Sequence, residues 1–277
     1  MVVAFAAQRG WTIYQLDVKS AFLNGELTEI VFVEQPSGYV QKGNRERQGK
    51  NMVIVSLYVD DLIVSGNDEL MIIEFRESMK HEFGMTDLGK MRYFLGLEVL
   101  QRPDGIFINQ SKYASELLRR FGMDKSNYVH NPMALGVKLN KDEDGVKVDK
   151  TYYKQLVGSL MYLTATRPDM MFVVSLASRY MENPTELHLK VVKRALRYLK
   201  GTSGFGIFYK REDDDGLIAY TDSDYAGNVE DRKSTSGYVF LLSSGAISWS
   251  SNKQPVVSLS TTESEFIAAA SCACQAM

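Results

Sequence analysis

Apolar and polar positions alternate through Thr12-Ile13-Tyr14-Gln15-Leu16-Asp17-Val18, the period of a strand, with Asp17 at its end. The polar run from Gln41 to Lys50 reads as a loop or linker. Beyond it, Met52 to Tyr58 and Leu62 to Ser65 are two β-rich apolar runs flanking Val59-Asp60-Asp61, which predicts a tight strand-turn-strand unit. Asp68 to Phe83 mixes Leu70, Ile73, Phe75 and Met79 with charged residues and reads as a helix. Arg92 to Leu100 and Gly105 to Asn109 predict a hairpin through the turn Arg102-Pro103-Asp104-Gly105. The apolar start, Met1 to Ala7, lacks a basic flank and stops at Gln8-Arg9, so it predicts a buried helix or strand end rather than a signal peptide.

From Ser111 to Lys200 the pattern is mainly helical. Ser111 is placed to cap a helix that ends at Gly122. Lys138 to Lys150 is polar and acidic, the signature of an exposed loop. A helix pair follows over Tyr152 to Thr164 and Pro168 to Met181. A third helix opens at Asn183-Pro184-Thr185-Glu186, with Asn as cap, Pro at the first position and Glu reaching back. After a glycine-rich junction at Gly201 to Gly206, three strand-like runs appear, Leu217–Thr221, Ser236–Leu242 and Ala246–Ser250. A helix from Thr261 to Ala276 closes the chain, capped by Ser260 or Thr261.

Composition narrows the class. With 45% hydrophobic and 24% charged residues the chain of 277 is globular rather than disordered. Its net charge of −2 excludes a uniformly basic nucleic-acid coat, so any polyanion contact must come from local patches. Cys272 and Cys274 cannot form a disulfide framework, and His81, His130 and His188 show no zinc spacing. The expectation is a reduced, intracellular protein, cytoplasmic or nuclear. No apolar run approaches the roughly 20 residues of a membrane span.

Asp60 and Asp61, adjacent and flanked by apolar strands, repel each other and lose solvation, a cost that a divalent cation such as Mg²⁺ relieves. The alternative is a solvated hairpin tip. Asp17, another carboxylate ending an apolar strand, favours the metal. Asp222 at the end of the first terminal strand and Glu265 on the last helix form a second pair able to bridge metal ions over a phosphate. Lys190, Lys193, Arg194, Arg197 and Lys200 recur at helical spacing and share a face, which by itself is a solvated face.

Leu16-Asp17-Val18-Lys19-Ser20-Ala21-Phe22-Leu23-Asn24-Gly25 and Tyr58-Val59-Asp60-Asp61 closely resemble the two palm motifs of reverse transcriptases of copia-type LTR retrotransposons. Phe94-Leu95-Gly96-Leu97-Glu98 resembles the primer grip, and Tyr153 to Asp169 the connection after the thumb. The terminal region resembles the ribonuclease H domain of the same polyproteins. The resemblance implies an α+β fold with three regions. Residues 1–110 would be a reduced palm, 111–204 thumb and connection helices, and 205–277 a truncated ribonuclease H-like domain. It also implies two-metal nucleotidyl transfer, with Asp17, Asp60 and Asp61 holding Mg²⁺ (or Mn²⁺), and RNA hydrolysis at Asp222 and Glu265. Asp224 and Glu263 would be solvated neighbours. Phe22 would gate the sugar 2′-hydroxyl, unless it is a core phenylalanine. Tyr58 would touch the primer-template, and Leu95 and Gly96 would seat the primer terminus. Beside two such sites, Lys190, Lys193, Arg194 and Arg197 would track phosphates. The partners implied are an RNA template/DNA primer duplex and deoxynucleoside triphosphates.

The pattern also departs from that family. It has a fingers region before the first palm aspartate and a helix with a template-contacting motif between the two palm motifs. Here Glu34-Gln35-Pro36-Ser37-Gly38-Tyr39-Val40 runs through a short polar linker into Met52. The chain also stops before the third ribonuclease H aspartate. Three readings follow: a polymerase/ribonuclease H fragment by descent, a nucleic-acid-binding remnant without turnover, or a non-enzymatic interaction module or non-functional product of a decayed element. Intact aspartates on a reduced scaffold predict little or no activity, because positioning supplies much of the barrier reduction.

Overall fold

The first alternating run forms β1 (Tyr14–Asp17) in the structure, a computed structural model that describes residues 1–18, 51–212, 216–242 and 244–276. Two compact units emerge, residues 2–91 and residues 92–277, the latter grouped with Met1.

In the first unit α1 (Val2–Arg9) buries Ala4, Ala6 and Ala7, the helix alternative of the expected apolar start. β2 (Val53–Tyr58) and β3 (Asp61–Gly66) form the predicted hairpin. α2 (Glu69–Phe83) starts where the Asp68 carboxylate accepts from the amides of Leu70 and Met71, and it ends at Gly84 in the left-handed region, φ 59. With β4 (Thr86–Lys90) the strands make an antiparallel sheet in the order β2-β3-β1-β4. Alternation splits β1. Leu16 packs with Leu62, Val64, Ile72 and Met85, flanked by Tyr14 and Val18, while Gln15 and Asp17 take the opposite face. Full burial of Leu16 is worth about 1.5–3 kcal/mol. Arg76 of α2 bonds Asp87 of β4 at 2.5 Å and lies 4.2 Å over the Tyr14 ring, fastening the helix to the sheet.

In the second unit β5 (Tyr93–Phe94), β6 (Leu97–Arg102) and β7 (Gly105–Asn109) are extended by β8 (Gly206–Lys210), in the order β5-β6-β7-β8. Between β7 and β8 run α3 (Ser111–Arg120), α4 (Lys150–Leu163), a 3-10 turn at Pro168–Met170, α5 (Met171–Ser178) and α6 (Glu186–Gly201). Their shared core centres on Tyr153, Leu156, Leu160, Leu196 and Leu199. β9 (Leu217–Ser223), β10 (Thr235–Leu242) and β11 (Gly245–Lys253) form an antiparallel sheet with β10 central, and α7 (Thr261–Ala276) packs on β9 and β10. Trp249 donates to the Thr164 carbonyl at 3.0 Å, and Arg179 to the Thr235 hydroxyl at 3.0 Å, tying this sheet to the helices. Among the described residues no helix is long and apolar enough to cross a membrane.

Three local expectations are corrected. Ser111 is the first helical residue rather than the cap: Gln110 precedes it without a capping bond, and the Glu98 carboxylate accepts from the Lys112 amide instead. In α6 the cap is Thr185, not Asn183, and His188 completes the capping box in place of Glu186. Glu186 stands at the first helical position, whereas the third position is the one that reaches back. The expected exposed loop over 138–150 is pinned at its start: Leu139 is buried, the Asn140 carbonyl lies 2.7 Å from His188 Nε2, and Thr185 donates to Asp142 at 2.6 Å.

Candidate active site

Three aspartates stand at one end of the first sheet. Asp17 on β1 stands directly opposite Asp61 on β3. One step on, the Val18 amide donates to the Asp60 carbonyl at 2.9 Å, which makes Asp17 and Asp61 a non-hydrogen-bonded pair. Such pairs set Cα atoms about 4.5 Å apart with side chains on one face. Asp60 sits in the two-residue turn, since Tyr58 pairs with Asp61. Val59, the other turn residue, is left-handed at φ 53, an outlier for a β-branched residue. Gln15, two residues before Asp17 and on its face, donates to Asp61 Oδ1 at 3.0 Å.

The donor chemistry of these residues, carboxylates only, suits a hard divalent cation. Asp60 Oδ1 is buried with no hydrogen-bond partner, which is costly for a carboxylate. No Lys or Arg forms an ion pair with Asp17, Asp60 or Asp61 among the described residues. An all-oxygen donor set suits Mg²⁺. As the side chains stand, no three His, Cys, Asp or Glu groups among the described residues are gathered tightly enough to hold a metal. The backbone register brings Asp17 and Asp61 side by side, with Asp60 in the adjoining turn. Tyr58 is exposed at the hairpin end. Phe22 lies outside the described residues.

In the second unit Leu95 and Gly96 form the turn between β5 and β6, both left-handed, at φ 47 and φ 80. On α6, Lys190 and Lys193 are exposed, while Arg194 and Arg197 are half-buried. Arg197 donates to the Asn127 carbonyl at 2.7 Å, and Arg194 Nε is buried without a partner, so packing engages half of the expected basic face. Asp222 is exposed on the edge strand β9, on the face of Ile218 and Tyr220. Ser223, on the other face, meets Gln254, which also bonds the Ser264 carbonyl of α7. Glu265 is exposed on α7, and no bond joins it to Asp222. Asp224 and Glu263 are not simply solvated: they accept from the amides of Thr235 and Leu259, at 2.7 and 2.6 Å.

A partly buried network joins the 3-10 turn to α6. Arg167, almost wholly enclosed, bonds both oxygens of Asp169 at 2.9 and 2.6 Å and donates to Thr202, while Tyr198 donates to Asp169 at 2.8 Å. Burial alone would push the Asp169 carboxyl up, but the Arg167 bonds and charge, with the Tyr198 bond, hold it below the ordinary carboxylate range.

The reverse transcriptase (RNA-dependent DNA polymerase) family matches residues 1–48 and 44–135. The retrovirus-related Pol polyprotein from transposon RE1 of Arabidopsis thaliana is 35% identical over 310 residues, covering 96% of this chain and 21% of the relative. The chain belongs to the reverse transcriptase family of copia-type retrotransposon Pol polyproteins. The Pol polyprotein from transposon TNT 1-94 of Nicotiana tabacum is 34% identical, over 97% of the chain and 24% of its own length. An uncharacterized mitochondrial protein of Arabidopsis thaliana is 37% identical over 77% of the chain and 89% of its own length. The chain thus spans about a fifth of the length of the Pol polyproteins it matches. The RE1 match extends over 310 residues, more than the 277 here, so the Pol relative carries residues inside the matched span that this chain lacks. The family match breaks at residues 44–48, in the polar linker between the palm motifs.

Gln15 was not singled out by sequence, although its position two residues before Asp17 on a strand places it on the same face. Arg167 and Asp169 lie in the stretch Tyr153 to Asp169 that resembles the connection, but nothing in the sequence there signals the burial of Arg167.

Proposed function

We propose that residues 2–91 form a reverse-transcriptase palm whose carboxylates bind divalent metal, and that the chain is an RNA-directed DNA polymerase with a ribonuclease H-like region by descent. The observation that carries this reading is the direct pairing of Asp17 with Asp61 beside the buried, unpartnered oxygen of Asp60. Asp17, Asp60 and Asp61 would hold Mg²⁺, and Gln15 would orient Asp61. The chemistry that paired ions held there would supply is activation of the primer 3′-hydroxyl and neutralisation of the leaving pyrophosphate. Tyr58, exposed beside the turn, would contact the primer-template, and Leu95 with Gly96 would seat the primer terminus. The resemblance to the ribonuclease H domain makes Asp222 on β9 and Glu265 on α7 the pair proposed for RNA hydrolysis. The exposed Lys190 and Lys193 would track phosphate. A cytoplasmic or nuclear setting fits the two free cysteines.

A second reading, binding without turnover, is supported by the longer span of the RE1 match and the break at the linker. Positioning of the triphosphate and template supplies much of the catalysis in such sites, and lost scaffold removes it. Mn²⁺ titration and primer extension on an RNA template test both. Expected are Mn²⁺ binding that Asp60→Asn weakens and, at most, trace extension. Efficient extension abolished by Asp60→Asn overturns the second reading; absence of Mn²⁺ binding overturns the first.

A further inference from the structure

The turn between β5 and β6 places two left-handed residues in succession, and the first is Leu95. The left-handed region costs a residue with a Cβ about 1–2 kcal/mol, so something beyond the turn must favour this shape. Tyr162 of α4 does so: its hydroxyl donates to the Leu95 carbonyl at 2.7 Å. A Cβ at position 96 would stand 1.8 Å from that hydroxyl, so the clamp also requires glycine there. Tyr162 is itself held, with its ring edge-on to Tyr113 at a centroid distance of 4.8 Å, and the Tyr113 hydroxyl donates to the Ser159 carbonyl at 3.2 Å. Burial, with Tyr93 and Tyr113 nearby, pushes the Tyr162 hydroxyl up from its ordinary value, so it remains a donor across the neutral range. Tyr93 and Leu95 stay exposed, leaving the outer side of the turn unspent on packing.

We infer that Tyr162 is a positioning residue that locks the Leu95-Gly96 turn into the backbone shape that receives the recessed 3′ end of a primer strand, an inference that rests on the primer-seating role proposed above. The test uses the full chain and fluorescence anisotropy with two labelled RNA/DNA hybrids, one with a recessed DNA 3′ end and one blunt. Wild type binds the recessed hybrid more tightly. Tyr162→Phe weakens that binding about fivefold, as loss of one hydrogen bond implies, leaves the blunt hybrid unchanged and speeds amide exchange at Gly96. Tyr113→Phe, which removes a bond within the helices only, leaves the preference intact. Equal affinity of Tyr162→Phe and wild type for the recessed hybrid overturns the inference, as does an equal loss on both hybrids. A wild type without preference for the recessed end overturns the primer-seating role itself, and the inference with it.

Discussion

The two units carry their candidate carboxylates in different ways. In residues 2–91, Asp17 and Asp61 are set side by side by a strand register whose backbone hydrogen bonds specify the pairing, and Asp60 is tied in through the Val18 amide. In residues 92–277, Asp222 stands on an exposed edge strand and Glu265 on a helix, so their relation depends on how α7 packs against the sheet. A register is robust because slipping it by one residue would expose a whole apolar face. A strand-helix juxtaposition has no such lock. The first site should therefore tolerate loss of neighbouring packing better than the second.

The largest test of that contrast is Arg167→Ala. It removes two charge-assisted bonds to the partly exposed Asp169 carboxylate together with the bonds to Thr202, for an expected loss of about 1.5–3 kcal/mol. Trp11 reports the first unit and Trp249 the second. In urea denaturation of single-tryptophan variants, the Trp249 transition should move and the Trp11 transition should not; a shift of both alike would break the comparison.

Metal binding comes next. Asp60→Asn should weaken Mn²⁺ binding roughly tenfold or more, at least the cost of losing an outer-shell partner. Asp222→Asn should leave that same binding event unchanged, as read by Mn²⁺ relaxation. If Asp222→Asn has the larger effect, the register argument fails.

Smaller still is Val59→Gly. Relief of about 1–3 kcal/mol of turn strain, less about 0.4–1 kcal/mol of added chain entropy, should raise the Trp11 transition by about 1 kcal/mol. A drop in stability would mean that Val59 packs productively in its left-handed shape.

The smallest effect is with pH. Burial pushes the His188 imidazole below its ordinary value, only partly offset by its bond to the Asn140 carbonyl. The folded state therefore favours neutral His188. Its contribution is full above the unfolded value of about 6.5 and is lost as pH falls through the lower folded value. Asp169 is also depressed, so its contribution is full above about 3.9 and is lost at more acid pH. The Trp249 transition should weaken in two separate acid steps, and His188→Gln, which keeps a third-position acceptor, should erase only the first.

Much of this was legible in the residues. The hairpin at Val59-Asp60, the Asp68-led helix and the order of three strands then a helix follow from alternation, capping and turn chemistry, which act over a few neighbours. The α6 start was misread because Asn183-Pro184 is a good local signal, while His188 wins through a contact with Asn140 far away in the chain. On the basic helix face the limit is similar: spacing puts Arg194 and Arg197 beside the lysines, but only packing shows Arg197 spent on Asn127.

By itself the sequence determined the kinds of element, the strand ends on which the aspartates stand and, through its motifs, the polymerase family. These are set by short-range periodicity and by residue chemistry, which a linear reading holds in full. Tertiary structure alone decided which strand faces Asp17, that Gln15 reaches Asp61, that β8 completes the β5–β7 sheet and that Tyr162 closes on the Leu95 turn. Each of those joins residues distant along the chain, and their pairing is selected by which apolar faces can be buried together, a property of the whole folded unit rather than of any segment.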